Sequence, residues 1–347
     1  MIMELNCPIP ITQYKQVLLA HGGGGKLSEQ LISKLFLPQF NNPLLNQEHD
    51  GAIIDFNGTR LAFSTDSYVV QPLFFPGGDI GELAVNGTVN DLACCGARAL
   101  YLSLGFIIEE GFSMDELWQI TQSIKRAADH AGVQIVTGDT KVVDKGKGDK
   151  IFINTSGIGL IDNHVNISSS KLKPGDDIII NGNIADHGIT IMLQRAELQF
   201  DNEIKSDTAP LNEMVQSVLE ISENIHMMRD PTRGGLASSL NEITKKANLG
   251  IELYEDKIPI AENVKNACEL LGLDPLHIAN EGKILFFVDP DDTQKVLAKM
   301  KNQKYGEKSC IIGKVVEKDP GYVRMKTTIG STRIVDMISG EQLPRIC

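Results

Sequence analysis

The hydrophobic residues of the chain recur at two spacings, which predict a mixture of strands and helices. Ala52–Phe56 and Leu61–Ser64 are extended apolar runs that flank Asn57-Gly58, a dipeptide that favours the tight turn of a β-hairpin. Apolar residues between 117 and 128 recur at helical spacing after a capping box that begins at Ser113. The other elements predicted in this half are helices at Leu27–Leu37 and Glu82–Cys95 and strands at Ala99–Ile107, Val133–Val136 and Ile151–Ile161.

A change of composition at Ser168-Ser169-Ser170 marks the start of a second half. Its hydrophobic runs again mix strands with helices, which favours an α+β fold of two α/β domains over one doubly wound sheet. We therefore predict one domain at residues 1–168 and a second at residues 169–336. The predicted strands are Asp177–Asn181, Ile251–Tyr254, Ile284–Asp289, Ile311–Val316 and a hairpin of Val323–Lys326 with Arg333–Val335, and the predicted helices end near Leu198, Asn248 and Leu271 or follow Asp291.

The final segment, residues 337–347, is polar, contains a proline and shows no apolar period. Such a chain end is expected to be mobile. It finishes with Cys347, which is either an ordinary terminal residue or a carrier thiol on a flexible arm that can visit a partner's site and then its own.

Composition narrows the class of protein. The 347 residues include 42% hydrophobic and 22% charged residues, as in ordinary globular proteins, and the formal net charge is −12. A negative charge of this size argues against nucleic acid or an anionic membrane as a partner, because both need a basic surface. Residues 1–16 lack the features of a signal peptide, and the six cysteines include no CxxC pair. We expect a reduced, cytoplasmic protein.

Four aspartates stand where extended runs end or beside a helix rich in small residues. They are Asp50, Asp66, Asp91 and Asp139. Any one of them alone is more often a turn residue or a helix cap. Together they can reach a common cleft and form a cage of hard oxygen ligands, which suits Mg²⁺ bound to substrate phosphates.

Other stretches permit a ligand without requiring one. The run from His21 to Lys26 contains four glycines, but Leu27 stands where a phosphate-binding loop needs Ser or Thr, so a mobile hinge is favoured. Gly234-Gly235 either donates backbone N–H groups to a phosphate or gives a helix a flexible start. Asn86 and Asn90 lie four residues apart and face either a ligand or solvent.

Six motifs together make the chain similar to the HypE family of hydrogenase maturation proteins. They are Ser-Thr-Asp66-Ser, Val-Asn90-Asp91-Leu-Ala, Gly-Asp139-Thr-Lys141, Asp230-Pro-Thr232-Arg-Gly-Gly, Ala-Asn280-Glu281-Gly and the terminal Pro344-Arg-Ile-Cys347. The resemblance covers nearly the whole chain. The aspartate motifs are shared by a wider superfamily of aminoimidazole ribonucleotide synthetase, selenophosphate synthetase and thiamine-monophosphate kinase, whereas the Pro-Arg-Ile-Cys ending is specific to the HypE branch.

The resemblance implies a homodimer whose amino-terminal domains pair through strands, with ATP in the groove between them. The implied reaction is the ATP-dependent dehydration of a carbamoyl group on the terminal cysteine, which gives a thiocyanate and supplies cyanide ligands for nickel-iron hydrogenase. The implied partners are the carbamoyltransferase HypF as donor and a HypC–HypD complex as acceptor.

The resemblance also assigns roles to residues. Asp50, Asp66, Asp91 and Asp139 would bind Mg²⁺ and ATP, and Cys347 would carry the reacting group. Loss of phosphate needs a base, for which Glu281 and Lys141 are the candidates; Lys141 could instead orient the phosphate. The further nucleotide-binding candidates are Asn90, Asp230 and Thr232.

Two other functions remain open from the sequence. Another enzyme of the superfamily, such as a small-molecule kinase or a selenophosphate synthetase, would give the tail no role, and the latter would need a reactive cysteine nearer to the glycines than Cys7. A non-catalytic metallochaperone or scaffold would bind nickel or iron through Cys94, Cys95 or Cys347. Adjacent residues of a helix diverge by about 100°, so Cys94 and Cys95 do not easily face one metal.

Overall fold

The computed structural model describes residues 14–198, 203–339, 343 and 345–347. Residues 1–13, which include Cys7, lie outside this part of the chain. Two large sheets organise the described residues, one from strands before residue 162 and one from strands after residue 176.

The first sheet holds five strands. They are β1 (Ala52–Phe56), β2 (Thr59–Tyr68), β5 (Ala97–Glu109), β6 (Gln134–Val143) and β7 (Ile151–Ile161), and a separate short pair consists of β3 (Phe74–Phe75) and β4 (Gly78–Asp79). The strand order is β1-β2-β7-β5-β6. Strands β5 and β6 are parallel, and the other neighbours are antiparallel. The sheet therefore ends at two edge strands, β1 and β6.

Two helices cover one face of this sheet and leave the other face open. Helix α3 (Ile80–Cys94) packs on β2, β5 and β7, and α4 (Met114–Ala131) packs on α3. On the open face Phe63, Ile158 and Tyr101 are paired in register across three strands, and they expose 42%, 42% and 46% of their surface. A row of apolar residues in solvent marks a surface suited to a protein contact.

The second sheet holds seven strands and is mixed in direction. They are β8 (Asp177–Ile180), β9 (Ile225–Arg229), β10 (Gly250–Tyr254), β11 (Leu285–Val288), β12 (Cys310–Val316), β13 (Val323–Lys326) and β14 (Thr332–Val335). Their order is β14-β13-β10-β12-β8-β11-β9. Every residue of β11 is buried, as are Ile178–Ile180 of the neighbouring β8, so the core of this half lies around these two strands.

The remaining helices surround this second sheet or precede the first one. They are α1 (Lys26–Leu31), α2 (Leu37–Phe40), α5 (Asp186–Arg195), α6 (Asn212–Leu219), α7 (Gly235–Ala247), α8 (Glu262–Leu271) and α9 (Pro290–Lys301). Within the described ranges, none of the helices combines the length and the apolar character needed to cross a membrane.

The elements with the strongest local signals form as predicted. β1 and β2 pair as a hairpin, and Asn57 and Gly58 adopt the positive φ values, 52° and 82°, that such a turn requires. The Ser113 hydroxyl accepts the backbone N–H of Glu116 at the start of α4, and Gly132 ends that helix in the left-handed conformation.

Strand β6 differs from the expectation. We predicted a short buried strand at Val133–Val136 with Asp139 and Lys141 at its carboxyl end. The observed strand runs from Gln134 to Val143 and is exposed over almost its whole length, because it is an edge strand. Asp139 and Lys141 lie inside it and share one face, since side chains two residues apart point the same way.

The first predicted helix also differs, because it does not stop at Pro38. α1 continues through a π-helical turn at Ile32–Phe36 into α2, which ends at Phe40. Pro38 lies in the first turn of α2, directly after the π-helical turn. The prediction also missed α6 and β9.

The chain end is docked in the structure, whereas its sequence predicts a mobile tail. Ile346 and Cys347 expose only 3% and 9% of their surface, and Leu343 packs against the hydrophobic core. Local polarity favours mobility, but backbone groups of a distant segment bind the last residues. Val69 donates its N–H to the Cys347 carbonyl oxygen at 3.0 Å.

Candidate active site

The fold brings carboxyl groups from both halves of the chain into one cluster, which we call the carboxyl cluster and define as Asp50, Asp66, Asp91, Asp230 and Glu281. The first three come from the segment before β1, from β2 and from α3, and the last two come from the loops after β9 and before β11. Burial raises the pKa of Asp91 well above its usual range, and the charges of Asp230, Asp50 and Asp66 raise it further. These carboxyl groups are therefore close enough to repel one another.

Asp50 is held by an ion pair between the two halves. Its Oδ1 lies 2.8 Å from Arg229 Nε, and Arg229 also donates to Glu242 Oε2 at 2.8 Å. The other oxygen, Asp50 Oδ2, is buried and has no hydrogen-bond partner within the described part of the chain. Asp50 therefore joins the two halves with one oxygen and keeps the other available.

The donor set fits a divalent cation of the Mg²⁺ type. Asp66, Asp91 and Asp230 offer hard carboxylate oxygens, and burial raises the pKa of each of them, so their charges lack compensation. Asp50 Oδ2 adds an oxygen without a partner. Mg²⁺ prefers a few carboxylates together with substrate phosphates. Cys94 also lies within 4.8 Å of Asp50 and Asp230 ligand atoms, but a buried thiol with a raised pKa is a poor ligand for Mg²⁺.

The other predicted metal ligand, Asp139, lies apart from the carboxyl cluster in a single chain. It forms an exposed ion pair with Lys141, and the bond from Lys141 is the main reason that the pKa of Asp139 lies below its usual value. Asp139 lines an open groove of about 540 Å³ together with Leu104, Phe106 and Gly138. One chain therefore does not bring Asp139 or Lys141 to the other site residues.

Cys347 lies beside the carboxyl cluster. Burial raises the pKa of its thiol, the positive charge of Arg233 opposes this, and the charges of Glu281 and Asp66 add to it. In turn Cys347 is the largest cause of the raised pKa of Arg233. The thiol therefore lies between a guanidinium group and several carboxyl groups.

Glu281 is well placed to exchange protons next to this thiol. It exposes 4% of its surface, and its Oε1 has no hydrogen-bond partner within the described residues. Burial raises its pKa well above the usual range, with further contributions from Asp66, Asp207 and Asp230, whereas Arg233 lowers it. A carboxyl group with a raised pKa is a stronger base once it has lost its proton.

The two remaining nucleotide-binding candidates have structural contacts. Asn90 accepts the N–H of Leu211 at 2.8 Å and donates to the carbonyl oxygens of Ala209 and Glu281 at 3.0 and 3.3 Å. Its amide thus joins α3 to the loops of the second half. Thr232 is half-buried, and its carbonyl oxygen accepts the N–H of Gly235 at 2.9 Å.

The glycine stretch at the start of the chain packs against the Arg233 loop, where an open hinge was expected. Gly24 has a φ of 74°, and a Cβ atom there would lie 2.5 Å from the Arg233 carbonyl oxygen. A Cβ on Gly25 would lie equally close to Ile338. These glycines are needed because another backbone approaches closely.

Sequence reasoning missed four residues of the site. Arg233 stood inside a recognised motif and could have been found as the cation of that motif. Tyr68, two residues after Asp66, is fully buried beside the carboxyl cluster. His187 and Arg195 carried no local signal, because their role depends on the docked tail from another part of the chain.

Comparisons with known proteins agree with this architecture. Residues 48–161 match the family "AIR synthase related protein, N-terminal domain", and residues 173–326 match its C-terminal domain. The chain is 50% identical to the carbamoyl dehydratase HypE of Bradyrhizobium diazoefficiens over 330 residues, which cover 95% of each protein.

Solved structures give the same result. A chain in a crystal structure of a HypE–HypF complex is 48% identical in sequence. It superimposes with a TM-score of 0.85, and the match covers 89% of this chain and 99% of that one. A crystal structure of the hydrogenase maturation protein HypE in complex with ATP is also 48% identical, with a TM-score of 0.81 over 96% of this chain and 100% of that one. By its sequence identity, its two domains and its fold, the chain belongs to the HypE family of carbamoyl dehydratases.

Proposed function

We propose that this chain uses ATP to dehydrate a carbamoyl group on its own Cys347, giving a protein thiocyanate that supplies cyanide ligands for nickel-iron hydrogenase. The observation that carries this proposal is the position of the Cys347 thiol, buried at the end of a docked tail between Arg233 and Glu281. The relatives named carbamoyl dehydratase and the related structure with ATP support it.

The oxygen of an S-carbamoyl group is a poor leaving group. Mg-ATP supplies the phosphoryl group that makes this oxygen leave as phosphate, and Mg²⁺ neutralises charge on the phosphates. In the proposal Asp66, Asp91, Asp230 and the free oxygen of Asp50 hold Mg²⁺. The balanced reaction converts the S-carbamoyl group and ATP into a thiocyanate, ADP, hydrogen phosphate and one proton.

Glu281 is the proposed base. The carbamoyl nitrogen must lose both of its hydrogens to become a nitrile, and Glu281 accepts a proton on its partnerless Oε1. Arg233 faces both Glu281 and the thiol, so it stabilises the ionised carboxylate and orients the reacting group. Lys141, the other candidate, reaches this position only if a second chain supplies it.

The proposal includes a homodimer. The apolar row on the open face of the first sheet and the exposed edge strand β6 are surfaces that a second amino-terminal domain can cover. ATP would lie in the groove between the paired domains, where Asp139 and Lys141 of one chain meet the carboxyl cluster of the other. Residues 1–168 form the ATP-binding and dimerisation domain, and residues 169–336 contribute Asp230 and Glu281.

The proposed partners follow from the reaction. The carbamoyl donor is the carbamoyltransferase HypF, which is consistent with the related HypE–HypF structure. The acceptor is a HypC–HypD complex, to which the tail at 337–347 delivers its group after leaving the docked position. These steps take place in the reduced environment of the cytoplasm.

Intact mass spectrometry tests the proposal directly. The purified protein is incubated with HypF and carbamoyl phosphate, and then with Mg-ATP. We expect a carbamoyl-sized mass gain on Cys347 that converts, only when ATP is present, into a cyanide-sized gain by loss of water. An unchanged mass with active HypF would instead favour a small-molecule kinase of the superfamily or a scaffold.

A further inference from the structure

The end of the chain is held through its backbone. Val69 and Gln71, which follow β2, donate their N–H groups to the carbonyl oxygens of Cys347 and Arg345 at 3.0 and 3.3 Å. The residue numbers rise along one segment and fall along the other, so the two segments run antiparallel. Arg345 has a φ of 55°, so its left-handed conformation turns the chain between these contacts. The tail is thus added to the edge of a distant segment by main-chain hydrogen bonds.

His187 binds the carbonyl oxygen of Ile346, the residue between Arg345 and Cys347. Its Nε2 lies 2.8 Å from the Ile346 oxygen, and its Nδ1 lies 2.8 Å from Ser206 Oγ. A carbonyl oxygen only accepts, so Nε2 carries the hydrogen. The histidine is fully buried, and the ring of Phe75 packs edge-on against it. The imidazole is therefore fixed in orientation and points its donor at the tail.

Arg195 fastens the tail to the segment beside it. Its Nε donates to the Gln71 carbonyl oxygen at 2.6 Å, and its Nη2 donates to the Arg345 carbonyl oxygen. One planar guanidinium group therefore bridges the tail and the segment after β2. Together with His187, Val69 and Gln71, it provides a donor for the carbonyl oxygen of each of the last three residues.

The polar contacts of the Arg345 side chain are weaker than these main-chain hydrogen bonds. The Arg345 guanidinium donates to the Val69 carbonyl oxygen at 3.2 Å and pairs with Asp149, whose side chain is 35% exposed. Ion pairs at exposed positions contribute little to stability. Binding of the last three residues therefore depends on their main-chain oxygens and on burial of the Ile346 side chain in the core more than on the Arg345 side chain.

We propose that His187 and Arg195, with the backbone of Val69 and Gln71, form a tail clamp that fixes which residue lies at each position and so places the Cys347 sulfur beside Arg233 and Glu281. A shift of the tail by one residue would move the sulfur away and leave buried donors without their partners. The two side chains act as positioning residues. The catalytic consequence rests on the proposed function, whereas the position of the thiol does not.

Substitutions in the full-length protein separate the clamp from general stability. Arg195→Lys keeps the charge but replaces the planar group that donates from both Nε and Nη2 with a shorter side chain that ends in a single ammonium group, and His187→Ala removes one donor that His187→Gln retains. Arg345→Ala is the matched control, because it removes the tail's own side-chain contacts and leaves every carbonyl oxygen in place. Thermal unfolding of each variant shows which proteins remain folded.

Two readouts are measured on each folded variant. The first is the rate at which iodoacetamide alkylates Cys347, followed by mass spectrometry of the C-terminal peptide. The second is the single-turnover conversion of the S-carbamoylated protein by Mg-ATP. We expect Arg195→Lys and His187→Ala to raise the alkylation rate and lower the conversion rate by about tenfold each, because the first disrupts the hydrogen bonds that join the tail to the segment beside it and the second removes the side-chain donor of the Ile346 carbonyl oxygen. His187→Gln and Arg345→Ala should stay within about threefold of the original protein.

Equal effects of Arg345→Ala and Arg195→Lys would overturn the clamp, because the tail would then be held by its side chains. Failure of His187→Gln to restore what His187→Ala loses would also count against it. If the protein without substitutions protects Cys347 from alkylation and the clamp variants lose this protection, but the carbamoyl group is never converted, the clamp is supported and the proposed function is wrong. If conversion proceeds and no variant changes either rate, the proposed function stands and the clamp fails.

Discussion

The carboxyl cluster and the Asp139–Lys141 pair both contain predicted magnesium ligands, yet they differ in burial and in how their charges are balanced. The cluster is buried, gathers groups from both halves of the chain, and holds carboxyl groups whose pKa values are raised by burial and mutual repulsion. Asp139 is exposed on an edge strand, and its carboxylate is already neutralised by the neighbouring Lys141.

This difference shows what one chain can complete by itself. Packing of the two halves makes a crowded set of buried carboxyl groups that a cation would stabilise. The edge strand leaves its residues exposed within the described part of the chain, and in the proposed dimer a second molecule would bring them into use.

The largest effect is expected from Cys347→Ala. It removes the atom that carries the reacting group, so carbamoylation and thiocyanate formation should be lost completely while ATP still binds. Intact mass spectrometry and calorimetric titration with Mg-ATP measure the two properties. Cys310→Ala, at a partly exposed position away from the tail, is the control and should convert normally. Normal thiocyanate formation by the Cys347→Ala protein would contradict the proposal that Cys347 carries the reacting group.

Glu281→Gln should lower the rate of dehydration by about 10²–10⁴-fold, the usual contribution of a placed general base. The raised pKa of Glu281 means that its carboxylate forms only as pH increases, so the rate of the original protein should rise with pH. The glutamine variant should lose this rise. Single-turnover rates across a pH series test both points, with Glu269→Gln, at an exposed position of α8, as the control. If Lys141→Ala lowered the dehydration rate more than Glu281→Gln, Lys141 and not Glu281 would be assigned as the base.

Asp50→Asn should lower the free energy of unfolding by about 1–3 kcal/mol, because Arg229 loses one of its two carboxylate partners and keeps only Glu242. Asp139→Asn should leave the unfolding free energy unchanged, since Asp139 is exposed. Denaturant unfolding of the two variants compares them directly. Similar stability of both would mean that the Asp50 ion pair does not hold the halves together.

The smallest effect concerns how the two regions meet. Asp139→Ala and Asp230→Asn should each weaken Mg-ATP binding by at least about tenfold, since even groups that only orient a metal's ligands typically contribute about ten- to a hundredfold. If Asp139 serves the partner's site, an equal mixture of the two variants should regain tight sites in mixed dimers. A mixture that binds no better than the separate variants would place both residues in the site of one chain.

Local features of the sequence determined most of the elements. The Asn57-Gly58 turn, the Ser113 cap and the helical spacing of α4 each depend on residues a few positions apart, so they survive in any tertiary context. The same holds for the motif aspartates, whose residue types already indicate oxygen ligands. The family resemblance rests on such motifs and named the cysteine at the chain end.

Tertiary structure alone decided how these parts meet. Asp50 and Arg229 are paired although a long stretch of chain separates them, and nothing near either residue specifies the other. The exposure of Asp139 follows from the position of β6 at the sheet edge. The tail docks because His187, Arg195 and the segment after β2 offer donors to its backbone, and carbonyl groups are the same in every residue. Sequence patterns report side chains, so they could not show where this backbone would bind.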